Sequence, residues 1–162
     1  MRSEVKRFLE ENHIVYRLHT HPAVFTVEEA EKHCSHIPGL ACKNLFLKDK
    51  ISGRFFLVIM AADKKIDLRW FSGIIGSKHI RFGDDRELMD LLGLTKGSVS
   101  PFGLLNDKEG KVIVYIDHDV WDADIVSFHP NINTESLELS REMFHRFMDL
   151  LEQKKEVISF GS

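Results

Sequence analysis

Cysteine is scarce in this 162-residue chain, limited to Cys34 and Cys42. The two could pair in principle. However, the opening Met1-Arg2-Ser3-Glu4-Val5-Lys6 leads into a charged, helix-patterned stretch rather than a secretory leader. The expectation is therefore a soluble, cytoplasmic protein with reduced thiols. No apolar run approaches the roughly 20 residues needed to cross a bilayer, so no membrane partner is expected. An excess of positive charge is missing too: 22 Lys and Arg against 25 Asp and Glu leave a net charge of -3. This balance argues against a protein that grips a long nucleic-acid backbone, DNA included, and confines any RNA contact to a local site. Internal repeats, low-complexity tracts and Pro/Gly-rich linkers are also absent, which removes repeat arrays and strings of domains.

What is present is ample apolar material, 43% of residues with 12 Phe, enough for the core of one domain. Val5, Phe8 and Leu9 at helical spacing predict a helix over residues 3–12, followed by a strand over 14–18. Thr26 with Glu28 and Glu29 behind it reads as a helix N-cap, and Ile37-Pro38-Gly39 as that helix's end. Residues 45–47 and 55–62 read as strands joined by a turn at 49–53, the second with the continuous apolar character of a strand buried on both faces. Helices are predicted over 67–75 and 84–92, strands over 80–82, 112–116 and 125–128, and a last helix capped by Ser140. Strands and helices intersperse without strict βα alternation, which makes the fold class α+β. Residues 1–152 are read as a single domain and 153–162 as a C-terminal tail.

Four segments stand out along this frame. They are His21-Pro22-Ala23-Val24-Phe25-Thr26, Lys43-Asn44-Leu45-Phe46-Leu47, Gly97-Ser98-Val99-Ser100-Pro101 and His129-Pro130-Asn131-Ile132-Asn133. The third is the most informative, because a Gly-x-x-x-Pro loop exposes backbone N–H groups able to grip a carbonyl oxygen or an oxyanion. In this order and at these separations, the segments resemble the YbaK/prolyl-tRNA synthetase-associated domain family, and within it the freestanding editing proteins. The resemblance runs from about residue 8 to about residue 148. It implies a mixed sheet curled into a partial barrel with helices packed outside, and a hydrolase that deacylates mischarged aminoacyl-tRNA.

The resemblance also assigns roles. It implies that Gly97, Ser98, Val99, Ser100 and Pro101 contact the aminoacyl group. Gly97 lets a ligand approach the backbone, and Pro101 stiffens the loop's far end. It makes Lys43 the essential lysine, a point charge for a phosphate or the terminal adenosine, with Asn44 as its neighbour. Alone, Lys43 reads more readily as a strand-edge lysine that discourages aggregation. His129, held extended by Pro130, could serve as general base since an unperturbed imidazole titrates near neutrality. The resemblance instead implies that His129 shapes the amino-acid pocket, while the substrate's own 2′-hydroxyl helps to activate water, and Asn133 is read as a supporting hydrogen-bond partner. His21 and Thr26 receive conformational or capping roles.

His33, Cys34, His36 and Cys42 are four potential metal ligands whose spacing matches no standard structural-zinc pattern, so no metal or other cofactor is expected. Cys42 beside Lys43 is read as a small core residue rather than a nucleophile. The function expected is removal of a wrong amino acid, alanine first, from proline tRNA, through contact with the aminoacylated 3′ end. A prolyl-tRNA synthetase is a further candidate partner. A deacylase for cysteine or serine and a non-catalytic tRNA- or synthetase-binding module are the alternatives.

Overall fold

The order of elements follows from local chemistry along much of the chain; in this computed structural model residues 1–161 are described. Helix α1 (Ser3–Glu11) buries Val5 and Leu9. Strand β1 (Arg17–Thr20) follows, then helix α2 (Val27–Cys34), whose N-cap Thr26 accepts the Glu29 amide. Strands β2 (Leu40–Asp49) and β3 (Phe55–Ala61) form the expected hairpin. Next come α3 (Leu68–Ile75), β4 (Ile80–Phe82) and α4 (Asp85–Leu92), the last started by a capping box between Asp84 and Glu87. The Gly97 loop leads into a 3-10 helix, Pro101–Asn106. The chain ends with β5 (Val112–Asp117), α5 (His118–Asp122), β6 (Ile125–Phe128), β7 (Glu135–Ser140), α6 (Arg141–Leu150) and β8 (Lys155–Ile158).

The eight strands make one mixed sheet in the order β1-β7-β6-β2-β3-β5-β8, with β4 paired to β2. It is not closed; β1 and β8 are its ends, and helices lie around it. Alternation along β3 divides the core. Leu57 and Ile59 join Val5, Phe102, Val114, Phe144 and Phe147 on one face, and Phe56, Val58 and Met60 join Phe71, Tyr115 and Phe160 on the other. The uninterrupted apolar run is thus a strand buried on both faces.

Three readings need correction. Residues 14–16 are not strand: the Ile14 amide bonds back to Leu9 O at 2.9 Å, closing α1, and pairing with β7 begins only at Arg17. Helix α2 ends at Cys34 rather than at residue 37, where the Ile37 amide closes a turn onto Cys34 O. The segment from residue 153 is no tail. Gln153 is buried and donates to Leu104 O and Asp107 O, β8 pairs in parallel with β5, and Phe160 packs on Trp70 and Phe71.

Strand β2 organises the site. One edge pairs with β3 over Cys42–Lys48; the other pairs with β6 at Leu40 and Ala41, then with β4 at Leu47–Asp49. Between those two pairings, residues 42–46 have no strand on that edge. The parallel register sets Ala41 opposite Ser127, and Lys43 and His129 each follow two places after that last pair. Gly39 guards this alignment: its φ is +93°, and a Cβ there would sit 2.5 Å from Ile125 O. Gly39→Ala is therefore expected to cost at least about 2 kcal/mol, since both the left-handed backbone and the contact with β6 resist it. A urea unfolding midpoint checks this; an unchanged midpoint would contradict it.

Candidate active site

The gap beside β2 opens into a cavity of about 280 Å³ lined by Val24, Phe25, Thr26, Cys42, Lys43, Asn44, Ala62, Gly97, Val99 and His129. Segments far apart in sequence converge here: the turn before α2, the middle of β2, the end of β3, the Gly97 loop and the exit of β6. A larger groove of about 940 Å³ runs along α6 past His13, Arg141 and Arg146. Apart from His13, its lining comes from that one helix, so no second segment of the chain converges on it.

Lys43 is half-buried, and its ammonium donates to the carbonyl of Lys64. Burial lowers its pKa, Asp63 acts in the opposite sense and Lys65 adds to the lowering. One N–H of the ammonium is spent on Lys64, which leaves donors for a ligand. Beside it, and among the described residues, Asn44 Oδ1 is buried without a hydrogen-bond partner. An orphaned acceptor of this kind is costly unless a ligand or water meets it.

His129 also lines the cavity. Its Nδ1 donates to Glu135 O at 2.8 Å, which fixes the tautomer and leaves Nε2 as an acceptor. Burial, with the His21 ring adding, pushes its pKa down to about 4, so the ring is neutral at pH 7. His21 packs on it with ring centroids 5.7 Å apart and is itself tied to Pro22 O and Ser136 Oγ.

The Gly97 loop supplies backbone. Gly97 has φ +91°, and a Cβ there would come within 3.1 Å of the Phe25 ring. The Ser98 amide bonds to Thr95 O, whereas the amides of Gly97 and Val99 have no hydrogen-bond partner among the described residues. Ser98, Ser100 and Pro101 are buried and do not line the cavity. Ser100 Oγ donates to Asn131 Oδ1 and accepts the Phe102 amide, capping the 3-10 helix that Pro101 begins. These three residues brace the loop. Asn133 sits just behind the cavity, where its Nδ2 donates to Val24 O at 3.4 Å.

Sequence reading missed part of the lining. Val24 and Ala62 carry no functional group that would announce them. Phe25 does give a signal, since a large aromatic directly before an N-cap is 68% exposed and covers Gly97. Cys42 also reaches the cavity, but its Sγ donates to Leu40 O at 3.4 Å and burial drives its pKa up, so it holds a proton rather than acting as a thiolate. Cys42→Ala is accordingly expected to keep hydrolytic turnover within a factor of about three, measured under single-turnover conditions; abolition in a folded variant would make Cys42 a nucleophile. His33, Cys34 and His36 lie at and beyond the end of α2. Among the described residues, no three His, Cys, Asp or Glu side chains are grouped to hold a metal ion.

Comparison with known proteins places this geometry. The family model described as "Aminoacyl-tRNA editing domain" matches residues 21–147. The prolyl-tRNA editing protein ProX of Acetoanaerobium sticklandii is 40% identical over 134 residues, covering 83% of this chain and 82% of that protein. Prolyl-tRNA synthetase associated domain-containing protein 1 of Danio rerio is 32% identical over 162 residues, covering 99% and 88%. Among solved structures, the hypothetical protein APE2540 shares the fold with a TM-score of 0.77 at 18% identity, over 99% of this chain and 100% of that one. Another, named as a proposed trans-editing enzyme for prolyl tRNA synthetase, superposes with a TM-score of 0.74 at 16% identity, over 100% and 99%. With the family model spanning every segment that builds the cavity, and relatives alike along most of their lengths, the chain belongs to the aminoacyl-tRNA editing domain family.

Proposed function

We propose that the protein is a trans-acting deacylase that hydrolyses a small, wrongly attached amino acid, alanine first, from proline tRNA. The observation that carries this reading is the convergence of a half-buried lysine, a loop with two unpaired amides and a neutral imidazole on one cavity of about 280 Å³. That volume suits a small aminoacyl ester. The names of the similar proteins, prolyl-tRNA editing among them, support the tRNA substrate and the prolyl system.

An aminoacyl ester needs a positioned water and a place for negative charge on its carbonyl oxygen. In this reading the Gly97 and Val99 amides receive that oxygen. Water adds to the carbonyl carbon, the bond to the ribose oxygen breaks, and a proton given up by that water passes to the leaving ribose oxygen, which departs as a hydroxyl. Lys43 anchors the terminal nucleotide, Asn44 Oδ1 accepts from the substrate, and His129 walls the amino-acid end. The need for such an enzyme is physical. A synthetase pocket built for proline rejects a smaller amino acid only weakly, since a missing methylene is worth about 1–3 kcal/mol, so a second and smaller sieve is required.

The test is single-turnover hydrolysis of alanyl-, seryl- and cysteinyl-tRNA carrying the proline anticodon. A fastest rate on the alanyl ester supports the reading. A fastest rate on seryl or cysteinyl ester changes the amino acid, and no acceleration on any of them makes the chain a binding module. Chelator is expected to leave the rate unchanged; a loss restored by zinc would revive a metal at His33, Cys34, His36 and Cys42.

A further inference from the structure

The site's lysine is bonded to a second lysine that lies outside the cavity lining. Lys64 sits in the turn between β3 and α3, where the Ala62 amide bonds to Ala41 O and the Lys64 amide to Ala61 O. Its carbonyl accepts from Lys43, while its side chain runs the other way into a set of acceptors: Asp117 Oδ2 at 2.9 Å, Asp119 Oδ2 at 2.8 Å and Phe160 O at 3.1 Å. Two of its three N–H donors are spent on Asp117 and Phe160, and Asp119, its side chain 60% exposed, adds an ion pair. The Lys64 side chain is 13% exposed and that of Asp117 only 1%. The remaining groups are anchored as well. Asp117 Oδ1 caps α5 through the Asp119 amide, and the Phe160 ring is packed on Trp70 and Phe71.

A buried ion pair is poor value for stability, because desolvation offsets most of its attraction. Its geometric consequence is larger. One residue is fixed at both ends, so its carbonyl cannot turn away from the Lys43 ammonium without breaking the charged cluster. We propose that Lys64 is a positioning residue for the active site, its side chain strapped by Asp117, Asp119 and Phe160 so that its carbonyl aims the Lys43 donors into the cavity. Burial works against the Lys64 ammonium, but Asp119 and Asp117 outweigh it and hold its pKa above the ordinary value, so the strap stays charged at neutral pH. Asp63 and Lys65 flank the Lys43 ammonium, and His118 lies near Asp119. The strap also gives β8 and Phe160 a purpose: they carry the third acceptor. The catalytic half of this inference rests on the deacylase reading above, whereas the geometric half does not.

The experiment compares full-length wild type with Lys64→Met, Lys64→Arg and Asp117→Asn. Single-turnover hydrolysis of the best ester is followed alongside NMR titration of the Lys43 ε-methylene and ammonium signals. Lys64→Met is expected to lower the hydrolysis rate constant about 10–100-fold, as a misplacement near 1 Å does. KM should rise as well, since Lys43 anchors the terminal nucleotide, and the Lys43 titration should move to lower pH because its charged form loses the carbonyl. Lys64→Arg should restore most of both. Asp117→Asn loosens the strap without stranding a buried carboxylate and should shift both readouts the same way, by less; it carries the test if Lys64→Met does not fold. Folded variants whose unfolding midpoint falls while the Lys43 signals and hydrolysis match wild type would overturn the proposal. If wild type cleaves none of the esters, the function above fails, and the NMR titration still decides whether Lys64 aims Lys43.

Discussion

Lys43→Ala is expected to lower the single-turnover rate of ester hydrolysis roughly 10²–10³-fold while the protein stays folded. The magnitude is that of losing the group that holds the ester in place, since Lys43 anchors the terminal nucleotide. The cost in stability should stay within about 1 kcal/mol, since the side chain makes one hydrogen bond, to Lys64 O, and is only half-buried. Lys43→Arg is expected to rescue poorly, because a planar fork cannot replace a compact ammonium whose reach is set by a backbone carbonyl. A folded Lys43→Ala protein with wild-type turnover would remove Lys43 from the site.

His129→Ala is expected to change discrimination more than rate. A wall residue, once truncated, enlarges the cavity, loosens the hold on alanine's methyl group and admits larger residues, so the ratio of rates among esters shifts. A general base would behave otherwise, with all substrates losing the same factor of about 10²–10⁴. The structure also relocates the pH signature. An unperturbed imidazole titrates near pH 6.5, but burial brings His129 to about 4, so the wild-type rate should be flat in this residue's titration between about pH 6 and 8. Equal losses for every ester, together with an acid limb near pH 4 that the variant lacks, would favour base catalysis. Stability follows the same shift. The folded state prefers the neutral ring, so His129's contribution is complete above about pH 6.5 and is lost as pH falls through about 4. The wild type should lose stability over that window by more than the variant does.

Much of this was legible in the sequence, and the division has physical causes. Helix starts were readable because capping is local: Thr26, Asp84 with Glu87, and Ser140 each accept an amide from their own first turn. Strand β3 announced its two-sided burial through an uninterrupted apolar run. Strand β7 went unread although Leu137 and Leu139 alternate with polar neighbours, and β8 is half charged in Lys155-Glu156-Val157-Ile158; each exists because a distant strand pairs with it. At the site, family resemblance points to Lys43, Asn44, Gly97, Val99 and His129, and all of them border the cavity. What no local pattern reveals is the parallel pairing of β2 with β6, which leads Lys43 and His129 into one cavity. Ser98, Ser100 and Pro101 turned inward because the loop is closed by a 3-10 helix whose cap requires the Ser100 hydroxyl.

The central claim is that a small cavity hydrolyses a small ester and spares the correct one, and the most direct measurement is a side-by-side single-turnover assay of alanyl- and prolyl-tRNA built on the same proline tRNA. The account predicts rapid, enzyme-dependent hydrolysis of the alanyl ester and a prolyl ester that decays no faster than without enzyme. Hydrolysis of both at similar rates, or of the prolyl ester alone, would contradict it.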